Sequence, residues 1–285
     1  MHTCAPAYSV TDLVREYAET PRQERGYVTM HASSLTTDDP QKKFCGRSYA
    51  YAHDLKTSGA VTQALPMHLA VTFSIGYHVQ DYVTRAMFPH LVGTWECLKC
   101  SLLLDRAPFS PKCPGCGADG NEYFRYHEPR VVSNTTEISG GLDAVVRLAN
   151  KSVVVEVKSL DKDKFKELKA PFWEHRQRTS LYLRMLEDSD WYGDLLCPVV
   201  DHARIIYISK GGYGVKENGV FTPIREYVVE RDDALTDTVW AQAKEVSDYR
   251  RGLGPMPDRI CMEPHESRAG TCPFVSTCFN LRRLR

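Results

Sequence analysis

The sequence predicts an α/β protein: a mixed sheet flanked by helices, interrupted by a small four-cysteine insertion. Three observations lead there. Residues 142–146 and 152–158 are alternating or β-branched runs on either side of Ala149-Asn150-Lys151, the pattern of a hairpin. Residues 60–89, 172–186 and 232–251 repeat apolar side chains every three or four positions, as helices do. Cys97-Leu98-Lys99-Cys100 and Cys113-Pro114-Gly115-Cys116 form C-x2-C-x12-C-x2-C, with glycines for the tight turns of two knuckles. Four thiolates in that spacing suit one tetrahedral zinc with no open position, so residues 94–124 read as a structural zinc ribbon.

Composition narrows the function classes. With 36 basic and 36 acidic residues in 285, no global positive field points to nucleic acid, and a nucleic-acid path has to be a local groove. The opening residues lack a basic start and an apolar core of signal-peptide type. No later run reaches the roughly 18 apolar residues of a membrane span. The expectation is a soluble chain without a membrane partner, in the cytoplasm, or in the host cytoplasm if the source is a virus. Ten cysteines in such reducing surroundings read as metal ligands sooner than as disulfides.

In chain order, residues 10–20 predict a short amphipathic helix and 21–26 a polar connector. The 60–89 helix carries Leu65, Leu69, Phe73, Tyr77 and Val83 at helical spacing, with Gly76 as a bend and His78 within it. The ribbon follows; it either braces a long insertion or contacts DNA, through Lys99, Arg106 and Lys112, or a partner protein. After the hairpin, residues 161–169 are a charged connector that Pro171 ends. On the 172–186 helix, His175, Arg178 and Tyr182 share one face. Strands at 202–209 and 221–229 flank a glycine-rich turn, a helix covers 232–251, and the tail carries Cys261, Cys272 and Cys278.

Asp143, Glu156 and Lys158 bear the chemistry. A hairpin about Asn150 sets Asp143 opposite Glu156 or Lys158, and period-two alternation sends Glu156 and Lys158 to one face. Three valines precede Glu156, and charges at the end of a buried strand need a purpose. Two adjoining carboxylates are reconciled by a cation, and a lysine beside them suits growing negative charge. The layout is that of a metal-dependent hydrolase.

Gly141-Leu142-Asp143 followed by Glu156-Val157-Lys158 resembles the PD-(D/E)XK nuclease superfamily. Ser34-Leu35 with Cys45, His78 after Gly76, and the His175–Arg178–Tyr182 face are similar to RecB-like and CRISPR-associated exonucleases. The chain has arginine where that family has glutamine; Gln177 sits one place early. The resemblance implies a restriction-endonuclease-like fold and a DNA exonuclease acting on single strands or free ends, with a replication or recombination protein as a possible partner. It implies that His78, Asp143, Glu156 and the Val157 carbonyl bind Mg²⁺ or Mn²⁺, that Lys158 is catalytic, and that Arg178 and Tyr182 hold the strand, the tyrosine by stacking. It also implies a [4Fe–4S] cluster on Cys45, Cys261, Cys272 and Cys278, for which a second zinc is the alternative because four thiolates accept either. The domain plan is then an N-terminal helical part (1–93), the ribbon (94–124), a catalytic core (125–255) and a cysteine-rich segment (256–285). The competing expectation is a catalytically silent zinc and cluster scaffold that binds DNA or a partner.

Overall fold

The expected hairpin forms the middle of the molecule. The computed structural model describes residues 22–23, 28–36, 44–57, 59, 62–63, 66–148, 151–191, 199–211, 215–217 and 220–281; the helix expected over 10–20 lies outside them, as does the hairpin turn. A seven-stranded mixed sheet contains β1 (Leu91–Cys97), β2 (Leu103–Pro108), β3 (Phe124–His127), β4 (Ala144–Leu148), β5 (Lys151–Leu160), β6 (Val199–Ser209) and β7 (Ile224–Glu230). Its order is β7-β6-β5-β4-β1-β2, with β3 also paired to β1. β4 and β5 are antiparallel with Ala144 opposite Val155 and Leu148 opposite Lys151, while β6 joins β5 in parallel.

Five helices matter here: α1 (Gly46–Asp54), α2 (Met67–Ala86), α3 (Lys162–Glu167), α4 (Trp173–Glu187) and α5 (Asp237–Arg250). The pleat of the hairpin separates two of the three core clusters, the third gathering about Phe165, Ile205 and Tyr207. Val145 and Val154 pack with Leu181, Tyr182 and Met185 of α4 and Val239 and Val246 of α5. Ala144, Val146, Val155 and Val157 pack on the opposite face with Phe88, Leu91 and Trp95, and with Val79 and Val83 of α2. Among the described residues no helix is long and apolar enough to cross a membrane.

Three elements differ from the sequence expectation. The charged connector contains α3, because Asp161 accepts a hydrogen bond from the Lys164 amide at 2.9 Å and Phe165 is fully buried. Burying one phenylalanine outweighs the solvated charges around it. The strand expected over 221–229 is split at Pro223: Val220–Thr222 pairs with Val215–Glu217, and only Ile224–Glu230 joins β6. The ribbon grows out of the sheet, since β1 pairs with β4 through Leu91 and Val92 and then runs on to pair with β3 and β2.

α4 lies close to the Ser139–Gly141 strand at Gly140, where an added Cβ would stand 2.7 Å from Cε1 of Tyr182. Gly140→Ala is therefore expected to cost about 1–3 kcal/mol by overpacking. A denaturant midpoint equal to wild type would refute that contact.

Candidate functional site

Asp143 stands just before β4, and the pairing of Ala144 with Val155 carries it across from Glu156 in the middle of β5. Its Oδ2 accepts the Val157 N–H at 2.7 Å and lies 3.7 Å from Lys158 Nζ. Glu156 is only 2% exposed; its Oε1 is 2.5 Å from Lys158 Nζ and 3.8 Å from Arg178 Nη1. The other oxygen, Oε2, is buried and receives no hydrogen bond from the described residues. Lys158 Nζ also donates to the Val157 carbonyl at 3.3 Å.

Burial, then the Glu156 charge, pushes the Asp143 carboxyl up to about 7. Burial works against the Lys158 ammonium, but Glu156 and Asp143 outweigh it and its pKa moves upward. Lys158 is accordingly a fixed cation locked between two acids. Any group that takes up their charge competes with it.

The structure brings Asp143, Glu156, Val157, Lys158 and Arg178 together, and it adds two residues that sequence reasoning missed. Gln80 Nε2 donates to Glu128 Oε1 at 2.6 Å and to Asp143 Oδ1 at 3.2 Å. Glu128, pushed upward chiefly by burial, is thus a third carboxylate at the site. His78 makes no hydrogen bond or ion pair with these groups among the described residues. It is exposed on α2, about 100° back from Val79, which packs on the sheet with Val83 and Met87. A stripe drawn through Val79, Val83 and Met87 would have found Gln80 on its flank.

Tyr182 does not present a stacking face. It is 4% exposed, its ring lies against Gly140, and burial followed by the Glu156 charge raises its pKa well above the ordinary value. The stacking expected of it is excluded by that burial. His175 is a strut: its Nδ1 lies 2.8 Å from Tyr207 Oη, and burial, helped by Lys158 and Arg178, lowers it to about 3. Gln177 donates to the Leu235 carbonyl at 2.9 Å, while Arg178 occupies the position beside Glu156.

Cys97, Cys100, Cys113 and Cys116 bring their sulfurs within 4.8 Å of one another, close enough to hold a metal ion. The Cys97–Cys116 and Cys100–Cys113 sulfurs are each 3.7 Å apart, near the edge of about 3.8 Å for a tetrahedron with arms of about 2.3 Å. The two knuckles repeat one backbone form. Ser101 N–H donates to the Cys97 carbonyl at 2.7 Å and Gly117 N–H to that of Cys113 at 2.9 Å, and Ser101 and Gly117 both have positive φ. The Cys113 thiol is drawn down to about 7, first by the Cys116 backbone N–H.

Cys45, Cys261, Cys272 and Cys278 line a single cavity between α1 and the C-terminal segment. Arg47 Nε donates to the Pro257 carbonyl at 2.7 Å and the rings of Tyr51 and Phe274 lie 6.2 Å apart, so the two ends of the core are packed together there. Among the described residues no three of these four sulfurs approach within 4.8 Å.

No family model matches this sequence, and no curated protein matches it. The crystal structure of SSO0001 aligns with 95% of this chain and 96% of that chain at 15% identity and a TM-score of 0.35, a likeness too slight to carry an argument.

Proposed function

We propose that this protein is a metal-dependent DNA exonuclease of the RecB-like PD-(D/E)XK type, acting on single strands or free ends. The observation that carries the reading is the buried meeting of Asp143, Glu156 and Lys158, with Glu156 Oε2 left without a donor. A buried carboxylate oxygen in that condition fits a cation as its missing partner. Asp143, Glu156 and the Val157 carbonyl would hold Mg²⁺ or Mn²⁺, with Glu128 alongside. Such an ion lowers the pKa of a bound water and screens the scissile phosphate. Lys158, already oriented by both acids, directs its ammonium at the phosphoryl oxygens as they gain charge. Arg178 holds Glu156 from the α4 side.

Zinc fits the ribbon, by the sulfur spacing above. The second cysteine set lines one cavity, and four thiolates there suit an iron–sulfur cluster, with a second zinc as the alternative. Cys272→Ala is expected to abolish bound iron and the visible absorbance of anaerobically purified protein while leaving ribbon zinc at one equivalent. Retention of iron in that variant would remove the cluster assignment.

The direct test is a time course on single-stranded DNA labelled separately at each end, with Mg²⁺ or Mn²⁺, alongside closed circular DNA. Progressive loss from one end, with circles untouched and Asp143→Ala inert, is the expected result. Binding without product from any of these substrates would replace the nuclease by a DNA-binding scaffold.

A further inference from the structure

With Tyr182 buried, the aromatic ring exposed beside the lysine of the candidate site is Phe172. A cleft of about 570 Å³ opens beside the lysine of the candidate site, lined by Lys158, Lys164, Lys169 and Phe172 among others. Phe172 caps the start of α4 and is 38% exposed. Its ring stands edge-on to His175, with centroids 5.7 Å apart, and to Tyr207, at 5.9 Å. Its backbone N–H donates to Tyr207 Oη at 3.1 Å, and Tyr207 is itself fully buried. The ring is therefore fixed before any ligand arrives.

Charge around the ring is mixed. Lys164 lies 3.9 Å from Asp161, Glu167 and Glu174 share the lining, and Lys169 makes no ion pair among the described residues. Such a surface attracts phosphates weakly and locally. An aromatic face with two or three flanking lysines suits a strand whose bases are unstacked, and a duplex keeps its base faces hidden.

We infer that this cleft seats the single-stranded nucleotide next to the scissile phosphate, its base stacked on Phe172 and its flanking phosphates on Lys164 and Lys169. The inference rests on the nuclease reading of Asp143, Glu156 and Lys158. It gives a physical source for the preference for single strands or free ends: a fixed ring that only an unstacked base can cover.

The test uses the full-length holoprotein and a fluorescent single-stranded oligodeoxythymidine. Binding is read by anisotropy in an Asp143→Asn background over a range of salt, and cleavage by initial rates in the otherwise wild-type chain. Phe172→Leu keeps an apolar contact for His175 and Tyr207 but offers no ring face. It is expected to weaken binding about 5- to 150-fold and to raise KM with kcat unchanged, and Phe172→Trp is expected to restore both. Lys164→Ala with Lys169→Ala is expected to lower the salt slope by about 1.4, because each single-strand phosphate that a lysine neutralises contributes about 0.7. Unchanged oligonucleotide affinity and KM in Phe172→Leu, with melting temperature as in wild type, overturns the inference even if the wild type cleaves DNA. Phe172-dependent binding in a wild type that cleaves nothing overturns the nuclease reading and leaves the cleft as a strand-binding site.

Discussion

Replacing Lys158 with alanine is expected to lower cleavage by about 10²- to 10³-fold, the scale on which one preorganised donor to a developing oxyanion acts. The variant needs a companion, because Glu156 is 2% exposed and Lys158 is its closest cation. Removing one partner of a buried pair costs about 3–5 kcal/mol, and Arg178 at 3.8 Å offsets only part of it. Instability alone can therefore silence Lys158→Ala. Glu156→Gln combined with Lys158→Met removes both charges at similar volume, so neither member of the pair is left as a buried unpaired charge. This double variant is expected to melt within a few degrees of wild type and to be inactive at every Mg²⁺ and Mn²⁺ concentration. Appreciable cleavage by it would show that the pair holds the strands together and takes no part in hydrolysis.

Cys97→Ser is expected to lose the ribbon metal and to destabilise the protein by about 4 kcal/mol or more, a melting shift of about 8 °C or more. Cys97 is 2% exposed and belongs to one packed cluster with Trp95, Phe124 and Val155. It also ends β1, which pairs with β4 beside the candidate site. The ribbon has a thin core of its own, and ligand bonds to a structural metal are folding free energy for such a segment. The disturbance is thus transmitted into the central sheet. Metal content by mass spectrometry and a thermal melt check it together, and chelation of the wild type should reproduce the shift. A metal-free variant with an unshifted melt would make the four-cysteine group dispensable to the fold.

Much of the site was legible because its members are close in sequence or locked by local pattern. The β-branched run ending in Glu156-Val157-Lys158 had to be a strand and the short hairpin brought Asp143 opposite Glu156 or Lys158, a choice that the observed pairing of Ala144 with Val155 settles for Glu156. The four ribbon cysteines were legible for a similar reason, since each C-x2-C knuckle is a local turn. Pro223 showed where the edge strand breaks only once its neighbours were known, because proline ends a ladder on one side and not on the other.

α2 shows where pattern ran out. Helical periodicity reads as one apolar stripe through Leu69, Phe73, Tyr77 and Val83, while His78 is expected at the site from the family resemblance, and the face through Val79, Val83 and Met87 goes unread. In the structure Leu69, Phe73 and Tyr77 are exposed, the unread face meets the sheet, and Gln80 arrives at Asp143 and Glu128. Glu128 comes from the far side of the ribbon and carries no signal of its own in the chain.

The sequence by itself determined the central hairpin, most of the helices and the two cysteine knuckles that could hold a metal ion, because these depend on contacts a few residues apart. Tertiary structure alone decided which face of α2 is inward, that Tyr182 is walled in by Gly140 while Phe172 stays open, and that the second set of cysteines shares one cavity. Periodicity fixes how often a side chain recurs on a face, whereas the partner of that face is chosen by the packing of distant segments that compete to cover the same apolar surface.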